Sequence, residues 1–136
     1  MTDDEIREVL ETARTVAVVG LSPRPHRDSH RVAAYLQAAG YRIVPIHPAG
    51  GTILGETVRT GLAGLPAEER VDSVDVFRRP EALPDLVAEL PPGEGRTLWL
   101  QLGVTHPEAE EAALEAGWNL VVNRCALVEH RRLIGT

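Results

Sequence analysis

The chain has 136 residues and a mass of 14.8 kDa, is 43% hydrophobic and 25% charged, and carries a formal net charge of −6. That is enough for one buried core and excludes a separate catalytic domain; disordered, collagenous and disulfide-framed classes are excluded too. All 14 basic residues are arginine, which removes every lysine mechanism (Schiff base, lysine nucleophile, P-loop lysine) and leaves forked guanidinium contacts to phosphate or carboxylate.

No apolar run approaches the ~20 residues of a membrane span. The start, Met1-Thr2-Asp3-Asp4-Glu5, is acidic, unlike a secretory signal, so a cytoplasmic protein with no membrane partner is expected. The acidic balance argues against a nucleic-acid surface, which needs a basic face to release counterions. Cys125 stands alone, so neither an internal disulfide nor a cysteine-rich metal site can form.

Residues 1–14 are expected to form a helix, capped by Asp3 or Asp4, with Ile6, Val9, Leu10 and Ala13 on one face. Residues 15–132 follow as the core. Thr15–Gly20 is continuously apolar, as a strand buried on both faces must be. After the loop from Gly20, Asp28 or Ser29 caps a helix carrying Val32, Ala33, Leu36 and Ala39, with Gly40 at its stop. Tyr41–Ile46 is the second strand, with Pro45 placed near its end or at an irregularity because proline donates no ladder hydrogen bond.

His47–Gly55 reads as irregular, and Thr57–Leu65 has weak helical character around Val58, Leu62 and Leu65. Val71–Phe77 is a third strand, and Pro80 opens a helix closed by Pro91-Pro92-Gly93. Thr97–Leu102 is a fourth strand, Pro107–Gly117 a helix and Asn119–Val122 the last strand. This alternation predicts a single-domain α/β fold, Rossmann-like and doubly wound, with a mostly parallel five-stranded sheet and helices on both faces.

In such a sheet a ligand lies beyond the carboxyl ends of the strands. The first candidate is Gly20-Leu21-Ser22-Pro23-Arg24-Pro25-His26-Arg27-Asp28-Ser29, whose backbone amides and following helix start can face a phosphate, with Arg24 and Arg27 adding charge. The plainer alternative is a proline-stiffened connection with solvated arginines and Ser29 as an ordinary cap. A dinucleotide of the NAD type is disfavoured: the loop lacks G-x-G-x-x-G, and the second strand ends Val44-Pro45-Ile46-His47-Pro48 without an acid for the ribose. Phe77 and the pair Arg78-Arg79 close the third strand, where the arginines can bind an acid, hold a partner subunit or pair with surface glutamates.

The set Ala17-Val18-Val19-Gly20-Leu21-Ser22-Pro23, Gly40-Tyr41 with Pro45 and Pro48, Ile53-Leu54-Gly55, Asp75-Val76-Phe77-Arg78-Arg79-Pro80, Trp99-Leu100-Gln101-Leu102-Gly103 and Asn123-Arg124-Cys125 resembles the small bacterial and archaeal CoA-binding proteins. These are similar to the CoA-binding domain of the succinyl-CoA synthetase alpha subunit, and the likeness spans Thr15 to Arg132. The resemblance implies coenzyme A, free or acylated, as ligand. Its pyrophosphate and ribose would lie over Gly20-Leu21-Ser22 and the helix start, its adenine near the loop holding Pro48, and its arm near Gln101 and the Gly103 backbone. The synthetase phosphohistidine lies in another domain, absent here, so ligase activity does not transfer.

Catalytic machinery is not visible. His26, His30, His47, His106 and His130 lack metal-site spacing, no G-x-S-x-G occurs, and Asp72 and Asp75 fall on opposite strand faces. The glutamates from Glu108 to Glu115 read as a solvated helix face. Cys125 reads as a buried, inert thiol. The leading expectation is a CoA-binding protein without catalysis of its own. The alternatives are an enzyme or subunit acting on acyl-CoA or CoA disulfide through Cys125 or a partner chain, and a regulatory or assembly module. In the last case Trp99, Trp118 or the arginine pair would serve a homo-oligomer or protein interface.

Overall fold

The computed structural model describes residues 1–62 and 70–135. Five strands form the main sheet: β1 (Thr15–Val19), β2 (Arg42–Ile46), β5 (Ser73–Val76), β6 (Thr97–Leu100) and β7 (Asn119–Val122). They lie in the order β2-β1-β5-β6-β7 and every pairing is parallel. The chain steps outward from β1 to β2 and then returns past β1 to β5. The crossover direction therefore reverses between β1 and β5, which opens a crevice at their carboxyl ends.

The expected doubly wound α/β fold is present, with differences in detail. α1 (Asp3–Thr12) is capped by Thr2 rather than by an aspartate: the Thr2 hydroxyl accepts from the Glu5 amide at 3.2 Å, and the Glu5 carboxylate accepts from the Thr2 amide at 2.8 Å. α2 (Asp28–Ala38) has Arg27 at its N-cap with no side-chain cap. Pro45 is the penultimate residue of the edge strand β2, near the strand end as expected, and its carbonyl accepts from the Arg59 amide at 2.8 Å.

The stretch expected to be irregular contains a small antiparallel hairpin, β3 (Thr52–Ile53) with β4 (Glu56–Thr57). Its two-residue turn places Leu54 at φ 53° and Gly55 at φ 78°, and the Gln37 side chain donates to the Leu54 carbonyl at 2.9 Å. Leucine is a poor residue for that conformation, so the usual Asn-Gly turn signal was missing. No helix forms from Thr57 to Leu62, and Leu65 lies outside the described residues.

A 3₁₀ turn (Pro80–Ala82) leads into α3 (Leu83–Glu89). α4 (Pro107–Glu115) begins with His106, whose Nδ1 accepts from the Ala109 amide at 3.2 Å. A further helix, α5 (Ala126–Leu133), follows β7. Strand alternation divides the core in two. Val16, Val18, Ile43, Trp99 and Val121 pack with α1, α2 and α5, while Ala17, Val19, Val44, Val74, Val76, Leu98 and Leu100 pack with α3 and α4. No helix among the described residues is long and apolar enough to cross a membrane.

Candidate functional site

Gly20 fixes the geometry at the end of β1. Its φ is +83°, and a Cβ there would stand 2.4 Å from the Phe77 carbonyl oxygen and 3.0 Å from the Arg78 Cδ. Only glycine lets the β1–α2 loop lie against the end of β5. The loop is internally bonded: the Gly20 amide donates to the Ile46 carbonyl (2.9 Å), Ser22 N to Ser29 Oγ (3.0 Å), Arg24 N to Ser22 Oγ (3.1 Å) and Arg27 N to the Arg24 carbonyl (3.1 Å). Several amides expected to face a phosphate thus already have partners. Ser29 acts as a brace for the loop rather than as the helix cap. Leu21 is fully buried in the core, so only its backbone can meet a ligand, whereas Arg24 and Arg27 are exposed.

On one side of this crossing lies a cleft of about 1000 Å³ between α2, the segment after β5, the segment after β6 and the start of α5. Phe77, Arg78, Gln101 and Gly103 line it, as does Cys125. Gln101 is 3% exposed. Its Oε1 accepts from the Ala126 amide at 3.1 Å, which fixes the orientation of the side-chain amide, and its Nε2 is buried with no partner. Gly103 is positioned by its own amide, which donates to Asn123 Oδ1 at 2.8 Å, linking the loops after β6 and β7.

Sequence reasoning missed the other wall. Arg31 and Tyr35 of α2 and Leu127, Val128 and Arg131 of α5 line the same cleft. Arg131 stands over the Tyr35 ring at 5.2 Å, and the Tyr35 hydroxyl is 2.8 Å from His130 Nδ1. Burial pushes the His130 imidazole below its ordinary value, which favours the neutral ring there. The signal that could have revealed α5 was the basic last turn His130-Arg131-Arg132 after an apolar start at Ala126. Cys125 is the α5 N-cap residue and is half-buried against the cleft, not sealed in the core as expected.

Pro48 lies apart, in a second cleft of about 250 Å³ with Val19, Ile46, Gly61 and Leu62. Arg78 lines both clefts, so its exposed side chain stands between them at the crevice where β1 and β5 part. β2 runs into His47 and Pro48 without an acid at its own end, while Asp85 and Glu89 of α3 line the Pro48 cleft, and His47 Nδ1 accepts from the Ala49 amide at 3.1 Å. Trp99 and Trp118 are buried, with indole N–H groups bonded to the Arg124 carbonyl (2.8 Å) and the Pro91 carbonyl (3.0 Å). Neither tryptophan has surface to offer an interface. Among the described residues no group of three or more His, Cys, Asp or Glu side chains could hold a metal ion.

Comparison with known proteins identifies the family. Residues 14–131 match the family model described as a CoA binding domain. The protein YneT of Bacillus subtilis (strain 168) is 36% identical over 126 residues, covering 93% of this chain and 92% of its own. A solved structure from Thermus thermophilus is 42% identical with a TM-score of 0.85, over 98% of this chain and 99% of that one. A Pyrococcus horikoshii OT3 structure is 33% identical with a TM-score of 0.89, over 99% of this chain and 94% of its own. The chain therefore belongs to the CoA binding domain family.

Proposed function

We propose that the protein binds coenzyme A or an acyl derivative across the carboxyl edge of its sheet and does not turn the ligand over by itself. The observation that carries this is Arg78, shared by two clefts of about 250 and 1000 Å³. Coenzyme A is a long ligand with a flat base at one end, phosphates in the middle and a narrow amide arm at the other. In this reading the adenine enters the smaller cleft beside Pro48 and Gly61. The pyrophosphate passes Gly20, Leu21 and Ser22 next to Arg78, with Arg24, Arg27 and the uncapped start of α2 near Ser29 completing the positive field. The arm runs past Phe77 into the larger cleft towards Gly103.

Gln101 supplies the test of fit. It lines the larger cleft with its Oε1 held by the Ala126 amide at 3.1 Å, so losing it in Gln101→Leu should weaken coenzyme A binding.

Isothermal titration calorimetry tests the reading. Coenzyme A should bind, dephospho-CoA more weakly if an arginine meets the 3′-phosphate, and NAD poorly. Arg78→Ala should weaken coenzyme A by roughly tenfold to a hundredfold, the scale of one charge-assisted contact of about 1.5–3 kcal/mol. NAD binding as tightly as coenzyme A would overturn it.

A further inference from the structure

We infer that the larger cleft ends in an anion subsite built on Arg131, and that the ligand it takes is a coenzyme A thioester whose acyl group carries a free carboxylate; this rests on the binding reading above and names the acyl class. The facing walls at that end are α2, with Arg31 and Tyr35, and α5, with Leu127, Val128 and Arg131. Both helices begin at the carboxyl edge of the sheet and run back over it, α2 because it returns the chain to the start of the parallel β2, α5 because it packs along α2. At a helical rise of about 1.5 Å per residue, Tyr35 lies about 10 Å and Arg131 about 8 Å inside that edge.

Arg131 is held there without a counter-ion. Its guanidinium stands over the Tyr35 ring at 5.2 Å, and that ring is itself fixed: its hydroxyl is 2.8 Å from Nδ1 of the buried His130, and the two rings meet edge to face at 5.3 Å. An arginine held by an aromatic face keeps its forked N–H donors for an anion. No ion pair among the described residues takes them, and Asp28, the only carboxylate among the described residues lining the cleft, is paired with Arg31 on the facing wall.

Free coenzyme A offers this cation nothing. On the binding reading its phosphates pass Arg78 at the edge, and its arm is uncharged. A fixed cation on the arm's side of the cleft therefore faces whatever the thiol carries. Leu127 and Val128, on the same wall as Arg131, suit the methylenes of an acyl chain, and a carboxylate at the end of that chain meets the guanidinium fork. The volume agrees: the cleft measures about 1000 Å³, and about 300–1,000 Å³ holds a whole drug-sized ligand rather than a narrow arm alone.

Isothermal titration calorimetry with matched thioesters tests this: glutaryl-CoA against valeryl-CoA and succinyl-CoA against butyryl-CoA, each pair equal in carbon number and different by one carboxylate. The wild-type chain should bind a carboxylated thioester roughly tenfold or more tighter than its uncharged partner, the scale of one charge-assisted contact. In Arg131→Gln the two members of each pair should bind alike, and a cooperative thermal transition without ligand shows that the variant is folded. If valeryl-CoA and butyryl-CoA bind as tightly as their carboxylated partners, or if the carboxylate preference persists in Arg131→Gln, the inference fails and the binding reading stands. It fails in the same way if Arg131→Gln weakens free coenzyme A as much as the thioesters and leaves dephospho-CoA unaffected, which assigns the cation to the 3′-phosphate. If neither coenzyme A nor any thioester binds, both fail.

Discussion

Asp75 is a carboxyl buried inside the fold. It lies on the β5 face covered by α1, α2 and α5, 3% exposed, with Ser73 Oγ donating to its Oδ1 at 3.0 Å. Burial pushes the carboxyl up to about 7, against an ordinary value of 3.8, and the Ser73 hydrogen bond offsets this only in part. Between those two values the folded chain holds a proton that the unfolded chain has lost. Stability from this group therefore falls as pH rises through that window and levels off above it, by roughly 1.4 kcal/mol per pH unit at most. Asp75→Asn removes the proton without changing shape, so urea unfolding at pH 5 and pH 8 should show a smaller difference in midpoint than wild type. An unchanged difference would mean that the carboxyl does not titrate in this range. His130 has the opposite sign: its lowered value removes stability as pH falls through the ordinary histidine range near 6.5.

At the scale of elements, the site depends on two close fits. The β1–α2 loop reaches the end of β5 only because Gly20 has no Cβ. Gly20→Ala should cost about 1–3 kcal/mol in chemical denaturation, since the added carbon meets a backbone carbonyl that cannot step aside. Coenzyme A affinity should fall with it. Ser29→Ala tests the other brace by leaving the Ser22 amide without its acceptor at 3.0 Å, and a loss of about 0.5–1.5 kcal/mol in the same assay is expected. α5, which forms one wall of the larger cleft, is tied to the start of the chain: Arg132 donates to both oxygens of Asp3 at 2.8 and 2.9 Å and to the buried Glu129. The Arg132 guanidinium holds the Asp3 carboxyl below its ordinary value. Glu129 also meets Arg124 at 3.5 Å, which connects α5 to the turn carrying Cys125.

For the whole molecule, a ligand that bridges β1, β5, β6 and α5 binds only the folded chain. A hundredfold excess of coenzyme A over its Kd should therefore raise stability by roughly 2.7 kcal/mol, read as an upward shift of several degrees in thermal unfolding. Arg78→Ala should lose most of that shift at the same coenzyme A concentration, and no shift for wild type would count against a ligand spanning these elements. The parallel sheet was legible along the chain because buried strands such as Val16–Val19 and Leu98–Leu100 are continuously apolar and the helices between them carry caps and breakers. Gly20 and Arg78 could be marked by position, since each follows a strand of that sheet, whereas Gln101 was marked only through the family resemblance. The hairpin at Thr52–Thr57 was hidden by Leu54 in a turn that asparagine would have advertised. α5, with Arg131 and Val128, was hidden because eight residues give a short periodic pattern. The sequence by itself determined the strand–helix alternation, the absence of lysine chemistry and of an acid at the end of β2, since these are properties of residue type and local order. Only the tertiary structure decided that the loop amides after β1 are bonded internally, that Arg78 stands between two clefts, and that Cys125 lines the same cleft as Gln101. Those relations join residues far apart in the chain, and they exist only once packing has brought the strand ends together.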